Sequence, residues 1–153
     1  LKVEINSREH FTEHGHVRIP FELRSAWWSG KAEVTTFTLD ELLGTKLRAL
    51  YQRRKGRDIF DLWYALAHGQ VSADRVVRCF ERYLREDGLH VTRAAFEENV
   101  ARKLADRQFR ADMTGLLRPG IAWDINEAGR AVMGGLLSKL PGEPWSPAVS
   151  RTG

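Results

Sequence analysis

The sequence predicts an α+β fold, a small sheet followed by a helical bundle. Three observations predict it. The first 37 residues alternate in polarity or concentrate β-branched and aromatic side chains. From Thr38 to about residue 140, apolar residues recur at helical spacing instead. Between the two regimes stands Thr38-x-x-Glu41, a capping box, in which the Thr oxygen accepts from a free N–H and the Glu reaches back.

The elements follow in order. Residues 1–6 set Leu1, Val3 and Ile5 against Lys2, Glu4 and Asn6, a period-2 strand. A polar loop covers 7–15. Residues 16–23 alternate weakly, with Pro20 marking an edge or a bulge. Ser29-Gly30 supplies a turn, and 32–37 form a third strand. The first helix opens at Thr38 and carries Leu39, Leu42, Leu43, Leu47 and Leu50 as an apolar stripe. Gly56 breaks or bends it. A second helix covers 58–67 and stops at Gly69. Ser72 caps a third, 73–87, which ends at Gly88 and buries Val76, Val77, Phe80 and Leu84. Thr92 caps a fourth, about 93–105. A fifth spans about 107–117, before Pro119, and a sixth about 125–140. The expected organisation is therefore remnant strands over 1–37, a helical bundle over 38–140, and a loose or disordered tail over 141–153, which holds three of the five prolines.

Length and composition bound the function. At 153 residues, 42% hydrophobic and 29% charged, the chain has the size of one domain with a real core. A net charge of +4 favours polyanionic partners without establishing them. The single Cys79 excludes an internal disulfide framework and a Cys-rich zinc site, and fits a reducing, cytoplasmic setting. No apolar run approaches the roughly 18 residues of a membrane span. The chain starts at Leu1 inside a strand, which predicts a fragment whose parent supplies neighbouring strands. The unpaired edge of strand 1–6 then predicts self-association.

The residues that could carry chemistry lie mostly at the first helix–helix junction. Lys46 sits off the leucine stripe. Arg48, Arg53, Arg54, Lys55 and Arg57 follow, and Asp58 and Asp61 close the block. Carboxylates in an apolar helix cost several kcal/mol if left unpaired. The bland reading is a solvated basic face with Arg57–Asp61 as an i,i+4 pair. The functional reading is a site for a phosphate-bearing ligand, with cations neutralising phosphate and carboxylates orienting a lysine or holding a cation. Elsewhere, His10 and His14 could share a helical face beside His16, the arrangement of a zinc pair, in a loop that gives the spacing no specificity. Trp27-Trp28 beside Arg24 reads as a stacking surface for bases, a core contact or a partner contact.

Two motifs go further. One is Lys2-Val3-Glu4-Ile5-Asn6. The other is Lys46-Leu47-Arg48-Ala49-Leu50, then Arg53, then Arg57-Asp58-Ile59-Phe60-Asp61-Leu62. Together they resemble the AbiEii/AbiGii toxin family of nucleotidyltransferases, in detail over 1–67 and in outline beyond. The resemblance implies an incomplete sheet of the DNA polymerase β-like nucleotidyltransferase type followed by helices. It implies NTP as substrate, Mg²⁺ as cofactor, an RNA acceptor such as a tRNA end, and a cognate antitoxin protein. It implies that Lys46 contacts the nucleotide phosphates and Asp58 orients Lys46 or the acceptor. Asp61 joins this catalytic group, Arg53, Arg54 and Arg57 bind nucleotide or RNA, and Glu4 stands where a third acidic strand residue would face the metal. The family's Gly-Gly-Ser/Thr turn and Asp-x-Asp pair are not in this sequence. The parent is therefore expected to be the enzyme, and this chain alone to be inactive. The competing reading is a non-catalytic helical module that binds RNA or a protein through the basic run and Trp27-Trp28.

Overall fold

The structure, a computed structural model, describes residues 11–117 and 120–147. Strand 1–6, with Glu4 and its free edge, lies outside the described residues, as do His10 and the end of the tail. What is described is α+β: one antiparallel pair, β1 (His16–Arg24) and β2 (Ser29–Phe37), then six helices.

The hairpin register pairs Val17 with Thr36, Ile19 with Val34 and Phe21 with Ala32. The odd-numbered residues of β1 thus share one apolar face, and Val17, Ile19, Phe21 and Leu23 remain exposed on it. The turn is not at Ser29-Gly30, which lie within β2. It is Ser25–Trp28, where the Ser25 backbone N–H and hydroxyl both donate to the Trp28 carbonyl at 2.9 Å. Gly30 serves a different purpose: a Cβ there would stand 2.1 Å from the Trp28 ring, so its absence seats the indole. Trp27 is 95% exposed at the tip, which excludes the core contact.

Helix α1 (Leu39–Gln52) begins where the capping box predicts, with Thr38 Oγ1 accepting from Glu41 N at 3.3 Å. Only half of the box forms. The Glu41 carboxylate is fully buried and turns to the segment before the hairpin. It accepts from Thr12 Oγ1 at 2.7 Å, Glu13 N at 2.8 Å, His14 N at 2.9 Å and Tyr83 Oη at 2.8 Å. Burial pushes its pKa up, but these four donors hold it below the ordinary 4.5. Glu41 is therefore an anchor tying residues 12–14 to α1 and α3 (Ala73–Glu86). Residues 11–15 are not helical, so His14 has no helical face to share with His10. Its Nε2 lies 3.3 Å from the Arg75 carbonyl, and His16 stacks on Phe37.

The core joins Leu43, Leu47 and Leu50 of α1 to Ile59 and Leu62 of α2 (Gly56–His68), Val76, Phe80 and Leu84 of α3, Phe96 and Val100 of α4 (Arg93–Ala105), and Val132 of α6 (Ile125–Gly135). Leu39 and Leu42, expected in the stripe, are exposed. Leu42 shares its face with Lys46, one turn on, and that face looks outward. Phe60 and Leu66, also expected in the core, are partly buried. Gly44 lets α1 approach α3 closely, since a Cβ there would meet Cys79 Cβ at 2.4 Å. Burial raises the Cys79 thiol pKa to about 12, so it is an inert core residue.

Ser72 does not cap α3 with its hydroxyl; its backbone N–H donates to Asp40 Oδ1 at 3.0 Å instead. Helix α5 (Arg107–Ala111) is shorter than expected and passes into turns. Gly134-Gly135 end α6, and a 3-10 turn (Leu137–Lys139) completes the span predicted as one helix. Residues 141–147 run along α4: the Pro141 carbonyl accepts from Arg93 N at 2.9 Å, and Trp145 N donates to Glu97 Oε2 at 2.7 Å.

Candidate active site at the junction of the first two helices

Helix α1 ends at Gln52, because Arg53 leaves helical backbone geometry. Arg53–Lys55 reverse the chain, and α2 starts at Gly56, where a Cβ would clash with the Phe109 carbonyl at 2.4 Å. Asp58 is thereby in the first turn of α2, favourable to the helix dipole, and points back toward α1. Asp61, three residues on, lies on the same side.

Asp58 is fully buried. Its carboxylate is held by a forked guanidinium: Arg53 Nε donates to Oδ2 at 2.7 Å and Arg53 Nη2 to Oδ1 at 2.7 Å. Two parallel charge-assisted bonds are the strongest pairing available to a carboxylate. The hydrogen bond to Asp58 raises the Arg53 pKa above its ordinary value, against the opposing effect of burial. Lys46 Nζ lies 3.5 Å from Asp58 Oδ1 and 2.7 Å from Asp61 Oδ2. The Lys46 side chain keeps 36% of its surface exposed and Asp61 41%. The arrangement is a closed inner pair, Arg53–Asp58, and an outer pair, Lys46–Asp61, open to solvent.

Four of the sequence-derived site residues, Lys46, Arg53, Asp58 and Asp61, thus meet at one point. The i,i+4 pair Arg57–Asp61 is not among the ion pairs of the described residues; Asp61 binds Lys46 instead, because α1 delivers a closer cation than α2's own neighbour. Arg57 is exposed and its backbone N–H donates to Asp112 Oδ2 at 3.4 Å. Arg54 reaches Asp106 at 3.5 Å.

The chemistry open to this group is charge neutralisation and positioning. Lys46 presents a partly exposed ammonium at the surface, oriented by two carboxylates. Metal binding is less well served. Both Asp58 oxygens are taken by Arg53, and no group of three or more potential metal ligands occurs among the described residues. These residues do not by themselves fit a Mg²⁺ site, which needs more open oxygen ligands.

Sequence reasoning missed Lys103 of α4. It is buried, and its ammonium donates to the carbonyls of Leu50 and Tyr51, the latter at 3.0 Å. It caps the C-terminus of α1, whose own last turn has no basic residue. Burial, with neighbouring Arg54, lowers its pKa from 10.5 to about 8. The available signal was its position: Phe96, Val100 and Lys103 follow the spacing of a buried stripe.

A family model, the nucleotidyl transferase AbiEii toxin of type IV toxin–antitoxin systems, matches residues 1–131. No curated protein and no solved structure matches the chain. No helix among the described residues is long and apolar enough to cross a membrane.

Proposed function

The chain belongs to the AbiEii family of nucleotidyl transferase toxins, and from that premise we propose that Lys46, Asp58 and Asp61 form part of the site at which a nucleotide is transferred from an NTP to RNA, a tRNA end being the acceptor of choice. The observation that carries this reading is the outer pair. A lysine inside the family motif is held by two carboxylates, yet remains accessible to a ligand.

In the proposed reaction an RNA hydroxyl oxygen attacks the α-phosphorus. The bond from that phosphorus to the β-phosphate bridging oxygen breaks, pyrophosphate leaves, and the hydroxyl proton passes to solvent or a base. Lys46 neutralises charge on the phosphates as it builds, the main catalytic task in such a transfer. Asp58, locked by Arg53, fixes the direction from which Lys46 acts, and Asp61 releases Lys46 to the incoming phosphate. Arg54 and Arg57, at the exposed side of the junction, contribute to nucleotide or RNA binding. A Mg²⁺ ion, when bound, would supply further charge neutralisation. Glu4 remains its proposed ligand on this chain.

Expression of the expected parent protein in a bacterial host without its antitoxin tests the reading. Wild type is expected to arrest growth, and co-expressed antitoxin to relieve it. Lys46→Ala should abolish the arrest while leaving a folded protein. A folded Lys46→Ala variant that still arrests growth would overturn it. Protein that binds RNA but neither arrests growth nor consumes NTP would favour the non-catalytic module, for which the exposed Trp27 is the supporting feature.

A further inference from the structure

Beside the candidate active site, the end of α1 and the middle of α4 enclose an open cleft of about 270 Å³. Four cationic side chains line it: Arg53, Arg54, Arg102 and Lys103. Asn99 lines it too, and its Oδ1 is buried with no hydrogen-bond partner. We propose that this cleft holds a ribose–phosphate unit of single-stranded RNA, with Arg54 and Arg102 on the phosphate and Asn99 accepting from a sugar hydroxyl. This rests on the reading above, in which RNA is the acceptor.

Charge supports the phosphate contact. Lys103 is committed to the α1 carbonyls and Arg53 to Asp58. Arg54 and Arg102 are held only loosely, to Asp106 at 3.5 Å and Glu98 at 3.9 Å, and keep 66% and 69% of their surface. Asp106 is also occupied in capping α5, accepting from Phe109 N at 2.8 Å. A phosphate therefore has two arginines to recruit at little cost in broken contacts.

Asn99 points to RNA in particular. A buried acceptor without a donor costs about 1–3 kcal/mol, which is recovered when the Asn99 amide turns out to a donor in the cleft. A ribose 2′-hydroxyl is such a donor, and DNA lacks it. The cleft is smaller than the roughly 300–1,000 Å³ of sites that enclose a whole small ligand. Its one aromatic, Tyr51, is already set edge-on against Phe96 at 5.0 Å. The cleft thus suits a segment of backbone better than a free nucleotide or a stacked base. Arg53 lines the cleft and grips Asp58, so a strand lying here would pass directly beside Lys46.

Fluorescence anisotropy of the 153-residue chain with a labelled short RNA, and with DNA of the same sequence, tests the proposal. RNA should bind more tightly than DNA. Arg54→Ala and Arg102→Ala should each weaken RNA binding about five- to tenfold and lower the salt slope by about one counterion. Asn99→Leu should narrow the gap between RNA and DNA. Arg18→Ala, an exposed hairpin cation, should leave affinity unchanged. Lys103 is left intact because it supports the fold, and circular dichroism checks each variant. Unchanged affinity in both cleft arginine variants, equal binding of RNA and DNA, or binding of inorganic phosphate or an acidic peptide in preference to RNA would overturn it. Binding is read without NTP. RNA binding through the cleft with no transfer by the parent protein would defeat the transferase reading alone, and transfer by the parent unaffected by both arginine variants would defeat the cleft alone.

Discussion

Lys46 reaches across from α1 to place its ammonium 2.7 Å from Asp61 and 3.5 Å from Asp58, two carboxylates one helical turn apart on α2. The two acids differ in environment. Asp58 is buried and already neutralised by Arg53, whereas Asp61 is open. Lys46 can therefore exchange Asp61 for an external anion without stranding a buried charge.

Arg53 should matter for stability. Arg53→Ala would leave the buried Asp58 with only the longer Lys46 contact. Breaking a buried pair costs about 3–5 kcal/mol. Here half the Arg53 side chain is exposed and Lys46 remains, so about 2 kcal/mol is expected after discounting for solvent screening. Urea unfolding measures it, and the double variant Arg53→Ala/Asp58→Asn should recover part of the loss.

Glu41 should impose an acid limit. Its folded pKa lies below the ordinary 4.5. The stability it contributes is full above 4.5 and is lost as pH falls through the folded value. Glu41→Gln should flatten that part of the acid unfolding profile and expose residues 12–14 to faster hydrogen exchange.

Lys103 should act in the same direction, in an alkaline window. Its folded pKa is about 8 against 10.5 unfolded. Between those values the unfolded chain binds more protons, so this group makes stability rise with pH across that window, by up to about 3 kcal/mol. Lys103→Met should remove the rise, while losing the cap on α1. Thermal melts from pH 7 to 11 should show both effects.

Gly44→Ala should destabilise the protein, because the new methyl would meet Cys79 Cβ at 2.4 Å and the Val76 carbonyl at 3.0 Å. Overpacking of this kind costs about 1–3 kcal/mol. Gly88→Ala, where nothing lies within 4 Å but φ is +71°, should cost about 1 kcal/mol through backbone strain instead.

Much of this was legible in the sequence. The cap at Thr38 and the 43–47–50 spacing fix the face of α1, and that leaves Lys46 beside the next helix. The three-residue spacing of Asp58 and Asp61 puts both acids on one side of α2. The pairing itself was not legible. Local spacing favours Arg57 for Asp61, and only the reversal through residues 53–55 brings Arg53 onto Asp58 and Lys46 onto Asp61. Glu41 looked like a capping residue because its partners, Thr12 and Tyr83, are distant in sequence. Lys103 was hidden for a similar reason: a lysine on an apolar stripe reads as an exception until the carbonyls of another helix end appear opposite it.

The central claim is that Lys46 is the charge-neutralising group in nucleotide transfer. Incubation of the parent protein, with the Gly-Gly-Ser/Thr turn and Asp-x-Asp pair expected of it, with labelled NTPs, Mg²⁺ and total bacterial tRNA, as wild type and Lys46→Ala, tests it most directly. Wild type should label the RNA. Lys46→Ala, with an unchanged melting profile because Arg53 still holds Asp58, should label it on the order of 100- to 1,000-fold more slowly, the usual cost of removing one electrostatic contact to a transition state. A folded Lys46→Ala protein that labels RNA at the wild-type rate would contradict the account.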